Sequence, residues 1–423
     1  MREIRAALSA LLLLLTCIAC SPSDYAFKGA APRYGTEDGE LLYRLSVNNP
    51  SLSFDGRYMA FDFHEFTSDG KHTLLTHMKL GLYDIQKQSI EIFTPPIPEA
   101  KWHSPSFDRA GKRLTFVAVC TYKICPNETL RTHIMIMDLE TKNVAQITNN
   151  KQRIESWAFN YATSEAHRAS GGPGLPRVMV RGYPVFSKDG TRIYHVSRPG
   201  PLRSSVFWLQ SNPDYSLNVL DLSEASGTFQ ASDKLVQYKY EDAVIYKGDG
   251  RIAVLRGNNL VFSGRDAVGY NYKPLRTRKP TAFFYNLEEN KLSVAIDKFN
   301  TPTDPRIPSK HKQRIYGLTA SYDTGLIVGI RGQKHDIVTA WTGGQPEDLI
   351  AAEKLGIEWI GDVALSGDGR SLAILPNYRP PYVSPPEIDD FWMLDIDTGT
   401  LTKLPLRDLL RSVIKAAEKS ILS

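Results

Sequence analysis

The residues that could do chemistry are few and scattered. His64, His72 and His77 crowd one stretch, yet none shows the H-E-x-x-H spacing that sets two imidazoles around one zinc ion. Glu165 and His167 precede Gly171-Gly172-Pro173-Gly174, which lacks the Lys-Ser/Thr needed to cradle a phosphate. No G-x-S-x-G occurs, so no nucleophile elbow is available for acyl transfer. Cys120 and Cys125 flank Thr121 to Ile124, and no further Cys or His completes a zinc set at standard spacing. Aspartates that precede glycine, such as Asp55, Asp189 and Asp368, offer oxygen ligands without EF-hand spacing. They read as turn residues, because Asp caps its own turn amides and Gly accepts positive φ. Neither a catalytic residue nor a metal or cofactor is expected from this set.

The elements that carry these residues repeat. Asn49-Pro50-Ser51-Leu52-Ser53-Phe54-Asp55-Gly56 reads as a strand running into an Asp-Gly hairpin turn. The pattern returns at Ser104 to Gly111, Tyr183 to Gly190, Tyr246 to Gly250, Ser321 to Gly325 and Ala364 to Gly369. Each copy is followed by a second alternating pair, as in Ile134 to Leu139 with Val144 to Thr148, or Phe391 to Ile396 with Thr400 to Leu404. Four strands, A to D, in each of six units are the content of a β-propeller. The unit Pro-x-Phe-Ser-x-Asp-Gly, then an apolar strand, then Tyr-x-x-Asp-x-x-Thr-Gly, resembles the TolB-like, WD-repeat-like six-bladed β-propeller family over about 41–406. The resemblance implies an all-β fold and says little of activity, since propellers host many functions. The TolB N-terminal α/β domain and the hydrolase domain of prolyl-peptidase-like relatives have no counterpart here, so neither function is carried over. Leu41 to Ser46 is expected as a spare outer strand able to zip onto the sixth unit, beside that unit's own D strand. A short amphipathic helix is expected over 407–423, with Leu409, Leu410, Val413, Ile414, Ala417 and Ile421 at helical spacing.

The address is written at the start of the chain. Met1 to Arg5 is basic and Ala6 to Ala19 is apolar, the n- and h-regions of a secretory signal. Ala19-Cys20-Ser21 resembles the lipobox of bacterial lipoproteins, although Cys17 stands where Leu is usual. That resemblance implies lipidation of Cys20 after removal of residues 1–19. It also implies the outer membrane rather than the inner one, since Ser21 replaces the Asp of the retention signal. Residues 20–40 are small, polar and Gly/Pro-containing and read as a flexible tether. In an oxidising periplasm, Cys120 and Cys125 are expected to form a local disulfide.

The chain has 423 residues, a formal charge of +5 and 42% hydrophobic residues, an ordinary globular balance. Its length is concentrated in B–C connections (62–79, 118–133, 195–215, 256–281, 376–390) and D–A connections (149–182, 298–314). Both kinds emerge on one face of a propeller disc, so one face is trimmed and the other elaborated. Arg256, Arg265, Lys273, Arg276, Arg278 and Lys279 stand against Asp266 alone, and Lys298, Arg306, Lys310, Lys312 and Arg314 against Asp304 alone. With Arg203, Trp208, Tyr215, Tyr270, Tyr272, Tyr378, Arg379 and Tyr382 they predict a basic-aromatic binding rim. The expected partner is an envelope protein or an anionic glycan, with the membrane reached only through lipid and no nucleic acid. The alternative is a polysaccharide lyase or glycan hydrolase on the same face.

Overall fold

A computed structural model describes residues 42–68, 73–95, 100–121, 130–148, 177–201, 216–222, 233–235, 243–245, 252–255, 259–266, 280–289, 291–294, 315–331, 337–342, 346–357, 359–376, 391–406, 408–410 and 412. Their strands fall into antiparallel units in chain order, of four strands each except the fourth, which has five. The first holds β1 (Leu42–Leu52), β2 (Tyr58–Ser68), β3 (Thr73–Asp84) and β4 (Ser89–Phe93). The second holds β5 (Lys101–Phe107), β6 (Arg113–Thr121), β7 (Leu130–Asp138) and β8 (Val144–Gln146), and a single Met78–Lys101 bridge joins it to the first. The third holds β9 (Arg177–Phe186), β10 (Arg192–Pro201), β11 (Ser216–Asp221) and β12 (Asp233–Leu235). The fourth holds β13 (Ala243–Ile245), β14 (Ile252–Leu255), β15 (Asn259–Asp266), β16 (Pro280–Asn286) and β17 (Lys291–Val294). The fifth runs through β18 (Ile315–Ala320), β19 (Ile327–Arg331), β20 (Ile337–Trp341) and β21 (Glu347–Ala351), and ends in a short 3-10 helix, Ala352–Leu355. The last holds β22 (Ile360–Leu365), β23 (Ser371–Pro376), β24 (Phe391–Asp395) and β25 (Leu401–Leu404).

The A–B turns form because they satisfy themselves. Gly56 takes φ 71°, the left-handed region that only glycine enters at no steric cost. Ser53 N–H donates to the Tyr58 carbonyl at 2.8 Å, and the Tyr58 N–H donates to Ser53 Oγ at 2.9 Å. Ser53 Oγ in turn donates to Asp55 at 2.6 Å. Ser187–Asp189 and Ser366–Asp368 repeat this wiring at 2.5 and 2.6 Å, and in the second unit Asp108 takes the serine's place. The C–D turns are capped alike, with Asp84, Asp138, Asn286 and Asp395 accepting N–H groups two or three residues on. The Asp-Gly aspartates are thus occupied as turn residues.

The core is not one mass but a cycle of apolar layers between successive sheets. Trp102 and Phe116 lie between the first two units, their rings 4.9 Å apart. Phe186 and Ile193 fill the second layer, Leu260 and Phe262 the third, Leu318 and Trp341 the fourth, and Ile330 and Ile360 the fifth. Met59, Phe61, Leu375 and Phe391 join the last unit to the first. The innermost strands touch in the same cycle: β1 on β5, then β9, β14, β18, β22 and back to β1. An all-β propeller follows from these sheets and layers themselves.

Three expectations are corrected. Leu42 to Ser46 is not a spare strand for the last unit. It is the first half of β1 and pairs with β2, Leu42 opposite Ser68. Its alternation fits either edge equally, and sequence continuity with β1 decides. Second, Tyr246 to Gly250 is not the fourth A–B turn. β13 and β14 both pair with β15, so that copy lies between two halves of one inner strand, and the A–B connection is 256–258. Arg256 therefore leaves the B–C group, Arg265 lies on β15, and the B–C connection shrinks to 267–279. Third, part of the supposed insertions is strand: β2 and β3 continue as one long hairpin to Ser68 and Thr73, and β10 to Pro201.

The ring closes without a strand exchanged across the seam among the described residues. Helical backbone begins at Leu406 and is seen again at 408–410 and 412. Leu406 and Leu410, four apart and so on one helix face, are both fully buried in the layer between the last unit and the first, with Leu409 packed beside them.

Candidate functional site

Among the described residues, β1, β5, β9, β14, β18 and β22 line a cavity of about 110 Å³ on the axis. Four of these strands bend where they line it. Asn49, Ser104, Tyr183 and Gly317 adopt φ of 49°, 55°, 49° and 58°, and the pairing register shifts at each. Pro50, Pro105 and Pro184 follow three of them. Proline lacks the N–H a ladder needs, so it suits a bulge. Left-handed backbone costs a non-glycine residue about 1–2 kcal/mol, a cost the surrounding sheet must hold. In the second unit it is held across the blade boundary: the buried Asp62 carboxylate accepts the Ser104 N–H at 3.1 Å. Ser104 Oγ also lies 2.9 Å from His103 Nδ1.

At the A–B end the turns meet over the axis. Phe54, Arg109, Lys188, Tyr322 and Gly367 all occupy the same place, one residue after the first turn residue of their units. Arg109 donates to Asp323 at 3.1 Å and stacks its guanidinium 5.0 Å from the Phe54 ring centre. Lys188 Nζ lies 3.7 Å from Asp323. Tyr322 Oη donates to the Phe186 carbonyl at 3.4 Å. Burial, first, pushes that phenol above its usual range, with the nearby Asp108 adding to it, so it stays a neutral donor. The Gly367 carbonyl accepts from Ser321 Oγ at 2.7 Å, and the Asp368 N–H donates to the Phe54 carbonyl at 2.9 Å. A Cβ on Gly367 would sit 2.4 Å from the Phe54 ring, so the closure excludes any side chain there.

The structure does not describe the residues of the expected basic-aromatic rim. Arg203, Trp208, Tyr215, Tyr270, Tyr272, Arg276, Arg278, Lys279, Lys310, Lys312, Tyr378, Arg379 and Tyr382 lie outside the described residues, as do Cys20 and Cys125. Cys120 is on β6 opposite Arg131. Glu165, His167 and the glycines after them also lie outside, whereas His64 and His77 are on β2 and β3. Sequence reasoning missed the hub residues. Their signal was present: one turn position varies as Phe, Arg, Lys, Tyr and Gly while its neighbours repeat.

Sheets, layers and axial cavity define a β-propeller with one stoppered end. No family model matches the chain, and no curated protein matches it. Among solved structures, the β-propeller domain of the Trilobed protease from Pyrococcus furiosus is similar at 10% identity and a TM-score of 0.46, covering 86% of this chain and 97% of that one. TolB from Acinetobacter baumannii is similar at 13% identity and a TM-score of 0.38, covering 86% and 68%. Oligogalacturonate lyase from Vibrio parahaemolyticus is similar at 10% identity and a TM-score of 0.43, covering 86% of each. These are likenesses of fold alone.

Proposed function

We propose that this chain is a lipid-anchored, six-bladed periplasmic propeller that binds an envelope protein or anionic glycan on the face bearing its B–C and D–A connections. The observation that carries this reading is the polarity of the disc. One end is shut by turns that bond to each other across the axis. At the other, β1 to β3 and β9 to β10 run on: Leu42 still pairs with Ser68 and Arg177 with Pro201, whereas β18 and β22 are six residues each. Rigid strands raised beside long connections are a frame for binding loops. Cations at 273–279 and 306–314 then favour an acidic partner, steered most strongly at low salt.

The test is crosslinking in intact envelopes followed by affinity measurement. Arg276→Ser, Arg278→Ser and Lys279→Ser together are expected to weaken capture and flatten its salt dependence. Lys112→Ser with Arg370→Ser, on exposed turns of the shut end, removes charge at the loss of one exposed pair, Arg370 with Asp397, keeps the A–B turn aspartates and is expected to leave capture unchanged. Equal loss from both sets would sink the assignment of face. Turnover of an acidic polysaccharide by the purified protein would replace binding with catalysis.

A further inference from the structure

The geometry points to the hub cavity being a one-ended socket: it takes a small uncharged group entering from the loop-bearing face, and a latch of Arg109, Lys188, Tyr322 and Asp323 shuts its other end. This rests on the proposed binding face only for the direction of entry.

The class of ligand follows from the walls. Ser51, Ser106 and Thr319 bring hydroxyls, beside Pro50, Val185 and Ala253. Thr319 Oγ1 already accepts the Leu365 N–H at 3.1 Å. Among the described lining residues the one carboxylate, Asp108, is matched: Oδ1 accepts the Lys112 and Arg113 N–H groups at 2.9 and 3.1 Å, and Oδ2 accepts Arg113 Nε at 2.8 Å. A buried ion needs a counter-charge, and the described lining holds none to spare. An aliphatic or hydroxyl-bearing group fits, such as one neutral side chain of a partner, and a volume of about 110 Å³ admits little more.

The closure follows from which units are joined. Arg109 and Lys188 belong to the second and third units and Asp323 to the fifth, so these contacts bridge blades that are not neighbours. They can form only over the axis. Tyr322 makes the same crossing to Phe186, and Gly367 leaves space for the rings of Phe54 and Tyr322 alone. Asp323 and Arg109 keep 39% and 40% of their side-chain surface exposed, so the ionic part of the latch is screened by salt.

The test uses the full chain and needs no partner. Ser106→Cys reports from the cavity wall and Ala110→Cys, exposed on the turn, is the reference. Modification of each is timed by peptide-resolved mass spectrometry with neutral N-ethylmaleimide and with an anionic sulfonated maleimide. Relative to the reference, the neutral reagent is expected to react at the wall about tenfold faster than the anionic one. Asp323→Asn is expected to speed neutral labelling about threefold, and raised salt to bring the parent to the same rate. Tyr322→Ala is expected to speed it further. Where Tyr322→Ala does not fold, Tyr322→Phe, which loses only the bond to Phe186, takes its place. Equal rates for the two reagents would overturn the ligand class. Rates unmoved by both Asp323→Asn and the Tyr322 variant would overturn the latch. Either failure leaves the rim's binding to be judged by the envelope crosslinks alone.

Discussion

The seam between the last unit and the first should be the weakest joint of the ring, and Leu410→Ala tests it. In the described residues no strand crosses that seam, and the joint is apolar packing together with the backbone hydrogen bond from Asp368 to Phe54. Leu406 and Leu410 are fully buried against Val47, Phe61, Tyr83, Phe391 and Leu404. Truncating a fully buried leucine removes its transfer free energy and leaves a cavity, together about 3 kcal/mol. In a chain of 423 residues each kcal/mol lowers the melting temperature by about 1 °C, so a fall of about 3 °C is expected. Calorimetry gives the shift, and hydrogen exchange gives the place: protection should drop first on β1 and β24. Leu406→Ala should behave alike, and the double variant should lose less than the two singles combined, since both leucines line one cavity. If Leu410→Ala costs no more than Ser412→Ala, an exposed position on the same helix, the helix does not close the ring and the reasoning fails.

The remaining predictions are simpler. Gly367→Ala should lower the urea midpoint by an amount worth about 1–3 kcal/mol, because its φ is ordinary and the cost is purely the clash with Phe54 and Tyr322. A midpoint within error of the parent would show that the turns can part. Acid should destabilise the fold below the ordinary carboxylate range. The Thr141 N–H holds Asp138, the Ser187 hydroxyl holds Asp189 and the Thr398 N–H holds Asp395 below the usual value of 3.8. Depressed folded values give stability that is complete above that range and is lost as pH falls through the folded values. Melting temperatures should therefore be flat from pH 7 to about 5 and fall below about 4, and a fall beginning near 6 would implicate histidines instead. Cys20→Ala should leave an unprocessed or soluble periplasmic species on fractionation, and an unchanged membrane fraction would remove lipid as the anchor. Non-reduced peptide maps should link Cys120 to Cys125, and two free thiols in protein from the envelope would refute the bond.

What could be read from the amino acids alone is what is settled within a few residues. Ser53, Asp55 and Gly56 wire their turn to each other and to Arg57 and Tyr58, so each Ser-x-Asp-Gly copy announces a hairpin wherever it stands. The same locality made the aspartates legible as caps and the alternating runs legible as strands, and with them the all-β repeat. The copy at Tyr246 misled because the motif marks a turn without saying which strands flank it. There the inner strand is interrupted and resumes at Ile252. Alternation likewise cannot say which edge a strand will join, so Leu42 to Ser46 could be placed only once β2 was seen beside it. The hub was decided entirely by tertiary structure. Arg109 and Asp323 are 214 positions apart and Tyr322 and Phe186 are 136 apart, and no local pattern couples them. Closing a ring brings the second residue of every described A–B turn to one axis, and that convergence turns variable turn positions into a single contact network.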